Sequence, residues 1–147
     1  MPRPLADRDG VRDKSHPSRG LIDTSVVIDF PGIELDQLPA EIAISAITLA
    51  ELAAGTHATT DPAERAKRQD RLQRVEATFE PLPVDAAVAR AYGRVYAAVA
   101  ASGRKARGRR AMDLLIAATA VAAGLPLYTR NPEDFSGLSD LLRIVAV

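Results

Sequence analysis

Four acidic side chains stand where apolar stretches of this chain stop or turn, and their types and positions could do chemistry. They occur in the segments LIDTSVVIDF, ITLAELAAG, AMDLLIAATA and TRNPEDF, and they are Asp23, Glu51, Asp113 and Asp134. A carboxylate beside buried hydrocarbon costs free energy unless its charge is compensated. Two carboxylates about 4 Å apart repel by roughly 4 kcal/mol at an effective dielectric constant near 20. If the four acids converge in the folded chain, they therefore predict a site for a divalent cation.

Two of these acids also have simpler structural interpretations. Asp23 follows an apolar pair and could form a turn or cap the next helix, although Thr24 or Ser25 could provide that cap instead. Glu51 stands three residues after Thr48, which is the spacing of a capping box. In that arrangement the glutamate side chain returns to the amide of the capping residue. For both acids the structural and the functional interpretations stay open.

The other two acids differ in how strongly they favour a function. Asp113 shares a helical face with Ile116, so its carboxylate is predicted on the side that this apolar helix must bury. The helix dipole favours a carboxylate near the N-terminus, where a capping role is also open. Asp134 follows a predicted strand end and could be a solvated turn acid. Thr129 and Asn131 add neutral oxygen atoms close to it, which suit contacts to carboxylates or to metal-bound water.

The side chains that are absent narrow the chemistry of such a site. Ligands that are all oxygen atoms favour Mg²⁺ or Mn²⁺ over zinc. The chain has no cysteine, which excludes disulfides and thiolate metal sites and is compatible with a reducing compartment, so we expect a cytoplasmic protein. His16 lies in the N-terminal region and His57 follows a predicted helix end. A histidine-based metal or general-base site is therefore disfavoured.

The charge of the chain is neutral overall but uneven along the sequence. A formal net charge of zero gives no argument for a polyanionic partner. The segment RKARGRR nevertheless holds five basic residues and no acid, directly before Asp113. These residues could direct a polyanionic backbone toward a metal site, or they could form a solvated loop, and both interpretations stay open. They are Arg104, Lys105, Arg107, Arg109 and Arg110.

Short apolar strands alternate with helices along the chain. Strands are predicted near residues 21–22, 42–44, 82–84, 125–129 and 142–147, and helices near 26–28, 47–54, 62–78, 86–99 and 112–123. This alternation predicts an α/β sandwich with a mainly parallel sheet between helices. Ligands of such sheets bind outside the carboxyl ends of the strands, which is where the four acids are predicted.

Length and hydropathy predict a single domain with a short extension. Residues 1–19 carry charges and prolines without an apolar core, so we expect a flexible tail and no signal peptide. Residues 20–147 are expected to form one domain. No apolar stretch reaches the roughly 18 residues that a membrane-spanning helix needs, so no membrane association is expected.

The chain closely resembles PIN-domain ribonucleases, in particular the VapC toxins of bacterial toxin–antitoxin pairs. The resemblance is carried by LIDTSVVIDF, ISAITLAELAAG, RAMDLLIAATAVAAGLPLYTRNPEDF and LLRIVAV, which together occupy most of residues 20–147. It implies a PIN-like three-layer sandwich, often a homodimer, that cleaves phosphodiester bonds in structured RNA such as transfer or ribosomal RNA. It also implies a small VapB-type antitoxin whose C-terminal segment covers the site.

The same resemblance assigns roles to individual residues. The four acids match the family's metal-coordinating and catalytic acids, and none of them is replaced by an amide. A cation held there could activate water, and one carboxylate could accept the proton of that water, without the sequence showing which. The supporting polar residues implied by the resemblance are Thr24 or Ser25, Thr129 and, nearby, Asn131.

The sequence leaves two other functions open. A non-catalytic PIN-like binding module would use the same acids as scaffold, or as contacts to a basic partner. A phosphatase with Asp23 as nucleophile would require a second acid two residues later, and that position is Ser25. The second alternative is therefore the weaker of the two.

Overall fold

A parallel sheet of four short strands lies at the centre of the structure. The computed structural model describes residues 18–104 and 109–147. Within them the strands are β1 (Arg19–Ile22), β2 (Glu41–Ala43), β3 (Leu127–Thr129) and β4 (Ile144–Ala146). Their order across the sheet is β2-β1-β3-β4, and each neighbouring pair is parallel. The predicted α/β class with a parallel sheet is confirmed.

Five α-helices connect and cover these strands within the described residues. They are α1 (Thr24–Ile28), α2 (Ala46–Gly55), α3 (Pro62–Thr78), α4 (Ala86–Ala101) and α5 (Arg109–Ala123). Three short 3-10 helices add turns at Phe30–Gly32, Leu35–Gln37 and Pro132–Phe135. None of the described helices has the length and apolar character required to cross a membrane.

Alternate residues of the strands pack into two separate cores, which makes the sandwich three layers deep. Leu21 and Leu127 are fully buried on one face, in a cluster that includes the apolar residues of α4 and α5. Ile22 and Tyr128, their neighbours in sequence, are fully buried on the other face. Successive side chains of a strand point to opposite faces of its sheet, so this alternation places one helical layer on each side.

Aspartate side chains cap the N-termini of two of the long helices. The Asp61 carboxylate accepts a hydrogen bond from the amide of Ala63, with Pro62 at the first helical position of α3. The Asp85 carboxylate accepts one from the amide of Val88 in α4. These side chains satisfy amides that have no partner within the helix.

Several predicted boundaries of elements were wrong, for identifiable reasons. Residues 82–84 form no strand: Leu82 makes a single bridge to Ser45 at the end of β2, because prolines on both sides of Leu82 lack the amide that a longer ladder needs. Helix α2 begins at Ala46, because Ser45 caps it. Gly55, predicted just beyond the end of α2, is its last residue.

The predicted N-terminal boundary and the predicted start of α5 also differ from the structure. Strand β1 begins at Arg19, where Arg19 pairs with Glu41, so the ordered chain extends at least one residue into the predicted tail. Residues 1–17 lie outside the described residues. Helix α5 begins at Arg109, three residues before the predicted start at 112, and ends as predicted before Gly124, whose φ is 66°.

We expect Gly20→Ala to destabilise the fold, because β1 packs tightly against the ring of a buried tyrosine. A Cβ atom at Gly20 would lie 2.5 Å from Cε2 and 2.8 Å from Cδ2 of Tyr128, which is fully buried and has little room to move. The expected loss is about 1–3 kcal/mol in the free energy of unfolding, measured by chemical denaturation. Gly93→Ala in α4 is the matched control, since nothing lies within 4 Å of its added Cβ. It should leave stability unchanged or raise it by about 0.5–1 kcal/mol. Equal stability of the two variants would contradict this account of the β1 packing.

Candidate functional site

The structure brings the four predicted acids together around one cavity of about 190 Å³. Each acid comes from a different part of the chain, so only the folded state can assemble them. Asp23 joins β1 to α1, Glu51 lies within α2, Asp113 lies within α5, and Asp134 lies in the 3-10 helix that follows β3. The cavity is lined by these four acids and by Thr24, Ser25, Ile28, Asp29 and Asn131.

Asp23 is the most buried of the four acids, with 5% of its surface exposed. Its Oδ1 accepts hydrogen bonds from the Ser25 hydroxyl and, at 3.2 Å, from the amide of Val26, which makes Asp23 the N-cap of α1. The Thr129 hydroxyl donates to its Oδ2 at 2.6 Å. Capping by Thr24 or Ser25 was therefore wrong, because Asp23 itself caps the helix. Its capping role and its place in the cavity coexist.

Burial sets the charge behaviour of the Asp23 carboxyl. Desolvation raises the pKa of this carboxyl above its ordinary value of 3.8. The hydrogen bonds from Ser25, Thr129 and the amide of Val26 lower the pKa and offset part of that rise. All these donors are neutral groups. A positive charge in the cavity would therefore reduce the free-energy cost of burying the Asp23 carboxylate, which the neutral donors offset only in part.

Thr129 links the ends of two strands and the loop beyond them. Its hydroxyl donates to Asp23 at the end of β1, and its oxygen accepts a hydrogen bond of 3.0 Å from the amide of Asn131. The Ser25 oxygen accepts a hydrogen bond of 3.1 Å from the amide of Arg130. Both hydroxyls act as donor and acceptor at once, so they fix Asp23 relative to the loop that carries Asp134.

Glu51 is held by a threonine of α1. The Thr24 hydroxyl donates to Oε1 of Glu51 at 2.7 Å and also lies 3.1 Å from the hydroxyl oxygen of Thr48, which is fully buried. The capping-box interpretation of Thr48 and Glu51 was wrong, because Ser45 caps α2 and Glu51 lies in its second turn. The glutamate side chain is therefore turned toward α1 and the cavity.

Asp113 and Asp134 reach the cavity from helices that are anchored in the core. Asp113 is half-buried in the second turn of α5, next to the fully buried Leu114. Because α5 begins at Arg109, the capping interpretation of Asp113 was wrong. Asp134 is half-buried and is followed by Phe135, which has 1% of its surface exposed within the core under α4 and α5. Burial of Phe135 fixes the short helix and holds Asp134 at the cavity.

The carboxylates surround the cavity without forming a complete coordination shell. Among residues 18–104 and 109–147, no three acidic, histidine or cysteine side chains are arranged to hold one ion directly. Mg²⁺ commonly keeps several water ligands and binds proteins through one or two carboxylates. A cavity of about 190 Å³ lined by oxygen donors has room for an ion together with such waters. The residues therefore fit a hydrated Mg²⁺ or Mn²⁺ ion better than a fully protein-bound one.

The predicted basic run is only partly within the described chain. Arg104 donates from Nη1 to the carbonyl oxygen of Glu133 at 2.8 Å, which places the start of the run beside Asp134. Arg110 is half-buried in α5. Lys105, Arg107 and the Arg109 side chain lie outside the described residues. Their predicted contact with an RNA backbone stays a prediction.

Sequence reasoning missed one charged pair at the edge of the cavity. Asp29 lines the cavity, and its Oδ2 lies 3.4 Å from Nε of Arg130. Both residues occur within the quoted motifs, six residues after Asp23 and one residue after Thr129. That proximity to the predicted acids was the available signal, although nothing in the sequence indicates that the two segments meet.

Comparisons with known proteins point to one family. The sequence pattern of the PIN domain matches residues 21–140. Ribonuclease VapC5 of Mycobacterium tuberculosis is 40% identical over 125 residues, covering 83% of this chain and 89% of that protein. Ribonuclease VapC4 of the same organism is 34% identical over 126 residues, covering 84% and 93%.

Solved structures show the same fold. The crystal structure of VapBC-5 from Mycobacterium tuberculosis, a member of the VapBC family of toxin–antitoxin systems, has a TM-score of 0.75 and 37% sequence identity. The match covers 89% of this chain and all of that chain. FitAcB from Neisseria gonorrhoeae has a TM-score of 0.66 and 28% identity, covering 84% and 94%. The predicted PIN-like sandwich is confirmed.

We expect Asp23→Asn to stabilise the metal-free protein at neutral pH. Because the folded pKa of Asp23 is raised, the native state holds this proton more tightly than the unfolded state. The free energy of unfolding therefore falls as the pH rises from 3.8 through the folded pKa, and it stays lower above that value. Asparagine cannot ionise, so the stability advantage of the variant should grow as the pH rises above 3.8 and should shrink as the pH approaches 3.8.

Thermal unfolding in the presence of a chelator measures this effect across pH. Asp140→Asn, at an exposed position, controls for the loss of one negative charge and should show no comparable advantage. A lower melting temperature of Asp23→Asn at pH 7, relative to the parent protein, would contradict the burial cost assigned to this carboxylate.

Proposed function

This chain belongs to the PIN-domain family and to its VapC ribonucleases, and on that premise we propose that it is a metal-dependent endoribonuclease toxin. Its substrate would be structured RNA, such as transfer or ribosomal RNA, and a VapB-type antitoxin would neutralise it. The observation that carries the proposal is the convergence of Asp23, Glu51, Asp113 and Asp134 on one cavity at the carboxyl ends of β1 and β3. Relatives named as ribonucleases, at up to 40% identity, support it.

The four acids are proposed to hold Mg²⁺ or Mn²⁺, and the bound ion would activate water and neutralise charge that develops on the phosphate. Asp23 provides a fixed anionic anchor, since three donors from two elements hold its oxygens. Thr24 orients Glu51 toward the same cavity. These hydroxyl groups define the positions of the carboxylates before any ligand enters, which reduces the reorganisation that binding requires.

One of the less buried acids is proposed to accept the proton of the attacking water. Both oxygens of Asp23 already accept hydrogen bonds within the protein, so its remaining capacity is better suited to holding positive charge. Glu51, Asp113 and Asp134 are half-buried and line the open part of the cavity. A general base must lie within hydrogen-bond reach of the proton that it removes, and these three can approach a bound water.

A partner protein is proposed from the kind of complex in which the relatives were solved. The VapBC-5 structure, which is 37% identical to this chain, is that of a member of the VapBC family of toxin–antitoxin systems. We therefore propose a VapB-type antitoxin as the partner that covers the acidic cavity, and a homodimer as the assembly of the toxin.

The two alternative functions differ in how they fit the site. An aspartate-based phosphatase fits poorly, because a nucleophilic Asp23 would need a free and accessible oxygen, whereas this side chain is buried and accepts bonds at both oxygens. A non-catalytic binding module is favoured by the lack of a ready three-ligand group among the described side chains. It differs from the proposed enzyme in metal binding and in cleavage, so experiment separates the two.

We expect Asp23→Asn and Asp113→Asn each to lower RNA cleavage by at least about 100-fold while the fold persists. Each amide removes a negative charge that holds the cation, and losing one such stabilising group typically costs 10²–10³ in rate. The assay expresses each variant in cells, maps new 5′ ends of RNA, and repeats the cut on purified RNA with Mg²⁺ or Mn²⁺. Asp140→Asn, at an exposed position, is the control and should cleave at the parent rate. Full activity in either cavity variant would refute the assignment.

We expect Mn²⁺ to bind the parent protein and to raise its stability. A ligand at 100 times its dissociation constant stabilises the folded state by about 2.7 kcal/mol if it does not bind the unfolded chain. Calorimetric titration and thermal unfolding measure the two effects, and both should be lost in Asp23→Asn and kept in Asp140→Asn. If the parent protein binds no Mn²⁺ and gains no stability from it, the non-catalytic module becomes the better interpretation.

A further inference from the structure

A second cavity adjoins the acidic one, and its charged lining consists of two acids, Glu51 and Glu64, and two arginines. It has a volume of about 230 Å³ and shares Thr24, Ile28 and Glu51 with the acidic cavity as lining residues. Its far side is formed by α3, which contributes Arg68 and Arg71. A ligand in the acidic cavity can therefore extend past Glu51 to two guanidinium groups without leaving the surface of the protein.

The two arginines of this second cavity have different environments. Arg68 is fixed by a hydrogen bond from Nε to Glu64 at 3.0 Å and by another from Nη1 to the carbonyl oxygen of Gly55 at 2.8 Å. Arg68 connects α3 to the last turn of α2, and its positive charge also neutralises Glu64. Its charge and its donors are thus largely used within the protein.

Arg71 is half-buried, and it makes no ion pair or side-chain hydrogen bond with residues 18–104 or 109–147. It lines both this cavity and an apolar groove of about 290 Å³ that continues along α1 and α3. A guanidinium has five donors in a rigid fork that matches phosphate geometry. A half-buried guanidinium that uses none of these donors within the described chain is suited to an anionic ligand.

We propose that Arg71 binds a backbone phosphate of the RNA substrate that flanks the bond to be cleaved. This inference rests on the proposed ribonuclease function and adds a subsite to it. The acidic cavity alone repels a phosphodiester, because five carboxylates line it. The neighbouring guanidinium attracts the next part of the RNA strand. It thereby fixes the direction in which the RNA runs past Glu51.

The position of Arg71 favours RNA over an acidic protein segment as its ligand. The cavity of Arg71 shares three lining residues with the acidic cavity, where the phosphodiester to be cleaved must lie. An RNA strand bound in the acidic cavity therefore enters the cavity of Arg71 as well. Successive phosphates of one RNA strand favour several basic contacts, and Arg104, which donates to the carbonyl oxygen of the residue before Asp134, provides a second basic group. A contact to phosphate positions the strand and carries no sequence information.

We expect Arg71→Gln to weaken RNA binding about tenfold and to lower the slope of log affinity against log salt by about 1. Binding is measured with fluorescently labelled transfer RNA in the Asp23→Asn background, which keeps the RNA intact. In the otherwise unmodified enzyme the same change should raise KM about tenfold and leave kcat within about twofold. Arg71→Lys keeps the charge and should recover part of the affinity.

Two matched variants separate this role from a structural one. Arg90→Gln removes a charge from an exposed position on α4 and should leave both affinity and salt slope unchanged. Arg68→Gln breaks the contact with Gly55 and should lower the melting temperature, whereas Arg71→Gln should not.

The outcomes distinguish this inference from the proposed function. A parent protein that neither binds nor cleaves RNA would overturn the proposed function. A parent protein that cleaves RNA, with Arg71→Gln matching Arg90→Gln in affinity, salt slope and KM, would overturn only the role of Arg71. Weaker binding of a co-purified antitoxin with unchanged RNA affinity would also overturn it, because Arg71 would then belong to a protein interface.

Discussion

The buried carboxylate of Asp23 is the constraint on which the site depends. It lies between the ends of two strands that are distant in sequence, and the Thr129 hydroxyl bridges that separation directly. Each group that holds it is uncharged, so the structure fixes the position of the negative charge without cancelling it. The remaining acids come from elements whose packing follows from the same sheet. A cation with its own water ligands, as proposed above, would offset the charge of these carboxylates.

The charges that matter for the proposed function are concentrated around the acidic cavity. A net charge of zero hides an acidic cavity with basic groups on two sides, Arg104 beside Asp134 and Arg71 beyond Glu51. Such an arrangement suits an enzyme that must bind a polyanion and also hold a metal ion. In the proposed function the carboxylates would bind the ion, the ion would offset their repulsion of phosphate, and the flanking basic groups would guide the rest of the RNA strand. Long-range attraction of nucleic acid by bulk charge is not required.

The sequence predicted the fold class and the convergence of the acids because both depend on local signals. Apolar runs that alternate with helical periodicity indicate a parallel sheet, and acids at strand ends then share one edge of it. Boundaries were less predictable, since Ser45 competes with Thr48 as a cap and only tertiary packing decides between them. The sequence did not predict the role of Arg71, because the sequence of α3 is typical of a solvated basic helix. Its relation to Glu51 arises from the packing of α3 on α2, which no local pattern records.

Both outer strands of the sheet, β2 and β4, are only three residues long. Exposed outer strands present free amides and carbonyls that can recruit another chain by backbone pairing. The bridge from Ser45 to Leu82 adds one more pairing at the end of β2, and the prolines at 81 and 83 stop the ladder from growing there. The sheet therefore offers little template for edge-to-edge polymerisation, and contacts with other molecules are left to side chains and helices.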